Sequence, residues 1–268
     1  GSDIVGKNVT EAIPGIEKGE FDWISFYGKV ALEETEDSFE QFSEPLGKHY
    51  SVQVYSPQKG YFVTIFTNIS AQKSISKIAA KFNGFNLGEL DFQYIVDKVR
   101  ELSGAKYAFL NIFDENGQDF TTMAFSGLNK HFEQAVSLLG IDFWGKKWKY
   151  DPERQKKIEK KKVTVFQHLT DLTGKVISKN TVNLLCKTFN IGQTAVVKAM
   201  RNDNILADFT LVFDKNDELQ NQLIIETIAD LTAQLIHRLN AEFELKEQKK
   251  NLSDIIDGIR AGTWEWNI

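Results

Sequence analysis

Apolar positions along this chain switch between a helical and a strand-like period, and the switches mark out its segments. Phe21, Ile24, Tyr27 or Gly28, and Ala31 recur at helical spacing and predict a helix over residues 21–32. Ser38–Ser43 and Tyr50–Tyr55 alternate with period two, and Tyr61–Ile69 is apolar on both faces at its centre; these are three strands of an antiparallel meander. Ser56-Pro57-Gln58-Lys59-Gly60 is the hairpin turn between the last two. From Ser70 to Glu89 the chain turns polar, the expected boundary between two domains.

Beyond it, Leu90, Ile95, Val99 and Leu102 predict an amphipathic helix that ends at Ser103-Gly104. Tyr107–Phe113 and Asp119–Phe125 form a strand pair around Asp114-Glu115-Asn116-Gly117. A helix near 130–139, a strand or loop over 163–169 and a short helix over 181–189 precede a second pair, Gln193–Met200 and Ile205–Phe213. From Glu218 onward there is no proline, and no glycine before Gly258. Ile224, Ile228, Leu231, Leu235, Leu239 and Phe243 follow one another at spacings of three or four, and Leu252, Ile256 and Ile259 continue the pattern. Such a helix is on the order of 60 Å long. Its narrow stripe has the look of a coiled-coil seam, so Ile224, Ile228, Leu231, Leu235 and Leu239 are expected to pair with a second copy. The expected fold class is α+β: antiparallel sheets flanked by helices, with a long C-terminal helix of coiled-coil type.

Composition narrows the function. With 268 residues, 42% hydrophobic and 26% charged, the chain is an ordinary folded one and has length for two small domains. A net charge of −5 gives no general attraction to nucleic acid or anionic lipid. A single cysteine fits a reducing cytoplasm, and no stretch has the roughly 18 apolar residues of a membrane span. Gly1-Ser2 reads as a cleavage scar, so the chain is expected to be a piece of a longer one.

Tyr61 through Lys73, with Asn68-Ile69-Ser70 at the exit, resembles the last strand and exit of a PAS domain, which in that family often reads Asp-Ile-Thr. The likeness covers residues 3–73, the C-terminal part of such a domain, followed by a linker at 74–89. Residues 90–217 resemble a GAF domain in their order of helix, strand pair, irregular insert, helix and strand pair, and 218–257 form the long signalling helix whose start packs on it. Residues 258–268, with Trp264-Glu265-Trp266, resemble the opening of a further PAS domain. This order implies the sensory and relay region of a multi-domain sensor histidine kinase. A small molecule would be sensed in the GAF domain and the signal relayed through a dimeric helix to a covalently linked kinase outside this chain. Strand faces and the family's usual cavity together suggest a pocket at Tyr107, Phe109, Phe125 and Cys186.

The chemistry of the chain itself is sparse. His237 lies on the long helix but Arg238-Leu239-Asn240 follow it, where a phosphoacceptor has an acidic neighbour, and no glycine-rich nucleotide loop occurs. The chain is therefore not expected to be an enzyme, and no catalytic or metal-binding set is expected. Cys186 reads as a small buried hydrophobe. The alternative is a haem-based redox or gas sensor held through Cys186, with His168 or His131 as axial partner. Phe213, Asp217 and Glu218 match half of a cyclic-nucleotide motif, and helix capping explains the acids as well. Between Trp144 and Lys162, eight lysines and one arginine face three acids, which reads as a solvated face and not as a nucleic-acid surface.

Overall fold

The computed structural model describes residues 4–86, 91–127, 130, 145–158, 161–173 and 177–258. The chain divides into two units, Gly1–Lys77 and Ile78–Ile268. Its fold class is α+β, with antiparallel sheets flanked by helices and a long C-terminal helix. Apart from Lys130 and Gly258, the helix expected near 130–139 and the segment 258–268 lie outside the described residues.

In the first unit, α1 (Val9–Ala12) and α2 (Trp23–Glu33) precede a meander of β1 (Glu36–Ser43), β2 (Lys48–Gln58) and β3 (Tyr61–Asn68) in the order β1-β2-β3. Asp22 starts α2 by accepting the Ser25 amide at 3.0 Å, and the Ser25 side chain first, then that amide, hold its carboxyl below the ordinary value. The core is an aromatic cluster. Phe21 stands 4.7 Å from Trp23 and 5.3 Å from Phe39, and Tyr27 stacks on Phe62 at 4.7 Å. The outer strand β3 leaves Tyr61, Phe62, Val63, Ile65 and Phe66 exposed.

Helix α3 (Ser70–Asn83) continues through most of the segment read as a linker. Ile78 and Phe82, one turn apart, are buried with Phe85 in the core of the second unit, so this stretch is packed and not free. Arg238 donates to the carbonyls of Phe82 at 3.2 Å and Phe85 at 2.7 Å, serving the unpaired end of the helix.

The second unit is built on a sheet of order β6-β5-β4-β9-β8-β7, antiparallel throughout. Its strands are β4 (Tyr107–Phe113), β5 (Phe120–Ser126), β6 (Lys147–Trp148), β7 (Val163–Phe166), β8 (Ile191–Arg201) and β9 (Asn204–Asp214). One face packs on α4 (Phe92–Ser103) and on the first half of α8 (Gln222–Gly258). Ala195, Val197 and Ala199 of β8 and Ala207, Phe209, Leu211 and Phe213 of β9 supply that face. The small residues Ala229 and Ala233 let α8 lie close to the sheet. The opposite face is overlain by α5 (Pro152–Ile158), α6 (Leu169–Thr173) and α7 (Lys179–Thr188).

Helix α8 runs for 37 residues, about 55 Å, but its two halves differ. Ile228, Leu235 and Leu239 are buried, and Ile224 and Leu231 pack beside them, against the chain's own sheet and α4. The unit itself thus covers Ile228, Leu235 and Leu239, which are not open to a second copy, while Ile224 and Leu231 stay partly exposed on the same stripe. After Leu239 every residue from Asn240 to Ile255 is exposed, including Phe243, Leu245, Leu252 and Ile255.

Candidate ligand cavity

On the sheet face away from α8 lies a cavity of about 140 Å³. Period-two alternation aims Tyr107, Phe109 and Asn111 of β4 and Thr210 and Val212 of β9 into it. Phe120, Thr122 and Trp148 line it from β5 and β6, and Leu169, Leu172, Val182 and Leu185 close it from α6 and α7. Burial pushes the Tyr107 phenol up, with help from the Asp214 carboxylate, so its hydroxyl stays protonated at neutral pH.

One end of this apolar space is polar and internally connected. The Trp148 indole donates to Thr122 Oγ1 at 2.9 Å, and the Thr122 hydroxyl donates to Asn111 Oδ1 at 2.8 Å. The Asn111 amide donates to Asp208 Oδ1 at 2.8 Å, and the Thr210 hydroxyl donates to the same oxygen at 3.2 Å. The Arg154 guanidinium donates to Asp208 Oδ2 at 2.7 Å and lies over the Phe120 ring at 4.7 Å. Asp208 is fully buried and the Arg154 side chain is 11% exposed. A carboxylate so deep requires its partners, because an unpaired buried charge costs several kcal/mol.

Local sequence explains how Arg154 gets there. Asp151 precedes Pro152 at the first turn of α5 and accepts the amides of Glu153 at 2.9 Å and Arg154 at 3.3 Å. Asp119 accepts Lys149 Nζ at 2.8 Å and the Tyr150 amide at 3.0 Å, fastening the segment before α5 to the sheet. The Lys149 hydrogen bond, then the Tyr150 amide, hold the Asp119 carboxyl below its ordinary value. The basic run read as a solvated face is thus partly tied down. Lys146 lies 4.6 Å over the Trp148 ring, Lys157 donates to the Asp171 carbonyl at 2.6 Å, and Lys162 pairs with Asp230 at 2.6 Å.

Of the four residues expected at a pocket, Tyr107 and Phe109 line this cavity. Phe125 instead stands beside Phe109, ring centres 6.4 Å apart. Cys186 faces a separate, polar cleft with His168, Asn183, Gln193, Asp217 and Glu218. His131 lies outside the described residues. Cys186 and His168 do share a cleft, but Asn183, Gln193, Asp217 and Glu218 line it with them, a polar surround where a porphyrin needs apolar walls. These residues do not fit a haem. Asp217 and Glu218 cap nothing: α8 starts at Gln222, and the Asp217 carbonyl instead accepts Gln193 Nε2 at 3.0 Å. Among the described residues, no group of three or more His, Cys, Asp or Glu could hold a metal, and no helix is long and apolar enough to cross a membrane.

The sequence reading missed Asn111, Thr122, Arg154 and Asp208. The signal was available for two of them, since Asn111 is the one polar residue inside the apolar run of β4 and Asp208 stands with Thr210 on one face of the otherwise apolar β9.

No protein-family model and no curated protein matches the chain. Solved structures similar to it include the chromophore-binding domain of a Stigmatella aurantiaca bacteriophytochrome, over 76% of this chain and 74% of its own, at 10% identity and a TM-score of 0.43. The GAF domain of an Acinetobacter phosphoenolpyruvate-protein phosphotransferase is similar over 63% of this chain and 94% of its own, at 11% identity and a TM-score of 0.43. The chromophore-binding domain of an unusual bacteriophytochrome from R. palustris is similar over 77% of this chain and 75% of its own, at 10% identity and a TM-score of 0.45.

Two predictions follow from this geometry. Asp208→Ala leaves Arg154 without its carboxylate and is expected to lower stability by about 3–5 kcal/mol in urea unfolding, while Arg154→Met with Asp208→Asn, which leaves no buried charge unmatched, is expected to cost less; a paired variant as costly as Asp208→Ala alone would show that the stranded charge is not the cause. Because only the thiolate alkylates and burial pushes the Cys186 thiol up, iodoacetamide is expected to react at pH 7.5 more slowly than with free cysteine. The pH midpoint of that reaction should lie above the ordinary thiol value, and a midpoint at or below it would contradict the burial argument.

Proposed function

We propose that the second unit is a GAF-type sensory module that binds a small molecule in the cavity and passes the state of that cavity to α8. The observation that carries this reading is the two-sided use of β8 and β9: one set of residues lines or adjoins the cavity and the alternate set packs on α8. A ligand that shifts those strands acts on the helix through a single layer of backbone.

The distal half of α8 is the output. Leu245 and Leu252 are seven residues apart, as are Ala241, Gln248 and Ile255, and together they form a heptad a/d stripe beyond the sheet. In a parallel pair, Glu244 at g and Lys249 at e of the partner carry opposite charge. The homodimer is therefore assigned to residues 241–255, downstream of the stripe that the sheet covers. In the longer protein this helix would bias a linked histidine kinase of a two-component system in the cytoplasm, with the first unit, PAS-like in sequence, upstream. The chain itself carries no phosphotransfer chemistry in this reading.

Sedimentation equilibrium tests the assignment. The chain is expected to be a dimer, and Leu245→Glu with Leu252→Glu is expected to make it monomeric without lowering the thermal midpoint of the sheet unit. A dimer that survives both substitutions would contradict the distal seam.

A further inference from the structure

We infer that the cavity takes a compact single-ring molecule bearing a hydrogen-bond-accepting oxygen, a carbonyl or carboxylate, and that Arg154 recognises that oxygen. This rests on the sensory reading of the cavity and names the ligand chemistry it serves. Size sets the first limit. A dry protein cavity of roughly 150 Å³ holds one benzene, and this one measures about 140 Å³. Its walls set the second: Tyr107, Phe109, Phe120 and Trp148 give a ring aromatic faces on several sides.

The polar end sets the third. Trp148, Thr122, Asn111 and Thr210 each spend a donor inside the network that ends on Asp208. Asp208 in turn accepts from Asn111, Thr210 and Arg154, which leaves it poorly placed to receive a ligand donor. Arg154 differs. A guanidinium carries five N–H donors in a planar fork, Asp208 takes Nη2, and the side chain lines the cavity. What the pocket offers a ligand is therefore a donor. The charge of Arg154 is already balanced by Asp208, so the acceptor need not be ionic, and a cationic ligand gains nothing there. Asp151 and Lys149, which also line the cavity, are a helix cap and a partner of Asp119.

Four one-ring probes separate the possibilities: acetophenone with a neutral carbonyl, benzoate with a carboxylate, pyrrole with a donor only, and toluene with neither. Titration calorimetry on the full chain is expected to show acetophenone or benzoate binding roughly tenfold or more tighter than toluene and pyrrole, the range for a hydrogen bond to a charged group. Whichever of the two binds tighter identifies the neutral or the ionic source. Arg154→Lys keeps a charge opposite Asp208 but loses the fork, and should cut that preference severalfold. The paired variant Arg154→Met with Asp208→Asn leaves no buried charge unmatched and should bring the preference close to one while toluene binding persists. Hydrogen exchange locates the probe, with protection expected in α6 and α7. Probes that protect α6 and α7 with no preference for the acceptor, or with one insensitive to Arg154, overturn the ligand class and leave the sensory reading intact. No protection of α6 and α7 by any probe overturns both.

Discussion

Buried strands β8 and β9 present alternate residues to two different environments, and the rest of the second unit depends on that constraint. Phe209, Leu211 and Phe213 are fully buried against α4 and α8, while Thr210 and Val212 face the cavity between them in sequence. Strand geometry does not allow the two sets to move independently, because successive side chains share one pleat. Close packing makes such a core resist small continuous adjustment. In the proposed function, a change on the cavity face is passed through these strands to α8, and the half of α8 that leaves the sheet carries it onward.

The polar end of the cavity shows how a buried charge is kept. Asp208 is held by Arg154, Asn111 and Thr210, and Asn111 is itself held by Thr122. Removing one member strands another, so the network behaves as a unit. It also ties the segment before and within α5 to the sheet, since Arg154 comes from α5 and Trp148 from β6. The cavity exists because this segment is drawn over the sheet by polar contacts at one end and by the apolar side chains of α6 and α7 at the other.

Much of the fold was legible in the sequence, and the reasons are local. The period of Tyr50–Tyr55 and the pair Gln193–Met200 with Ile205–Phe213 gave strands and hairpins close to those observed. Tyr107 and Phe109, which line the cavity, were legible from strand faces taken together with the cavity that the GAF resemblance implies. Two things were not legible. A stripe at helical spacing says that a helix has an apolar face but not what covers it, so Ile224 through Leu239 read as a dimer seam while the unit itself covers Ile228, Leu235 and Leu239. A run of lysines hides a single arginine among them: Arg154 differs from its neighbours only in what it meets, and Asp208 lies 54 positions away in sequence. Pairing at that separation is set by the sheet order, which no local pattern encodes.

In the proposed function, the cavity and the distal half of α8 are one mechanical system. Double electron–electron resonance between nitroxides at Lys250, on the outward side of the proposed seam in each of the two copies, reads that coupling directly, with Cys186→Ser removing the native thiol. Leu185 lines the cavity, and Leu185→Trp fills it without touching α8. Filling the cavity is expected to shift or narrow the distance distribution at position 250 while the dimer persists. Identical distributions with the cavity open and filled would contradict it.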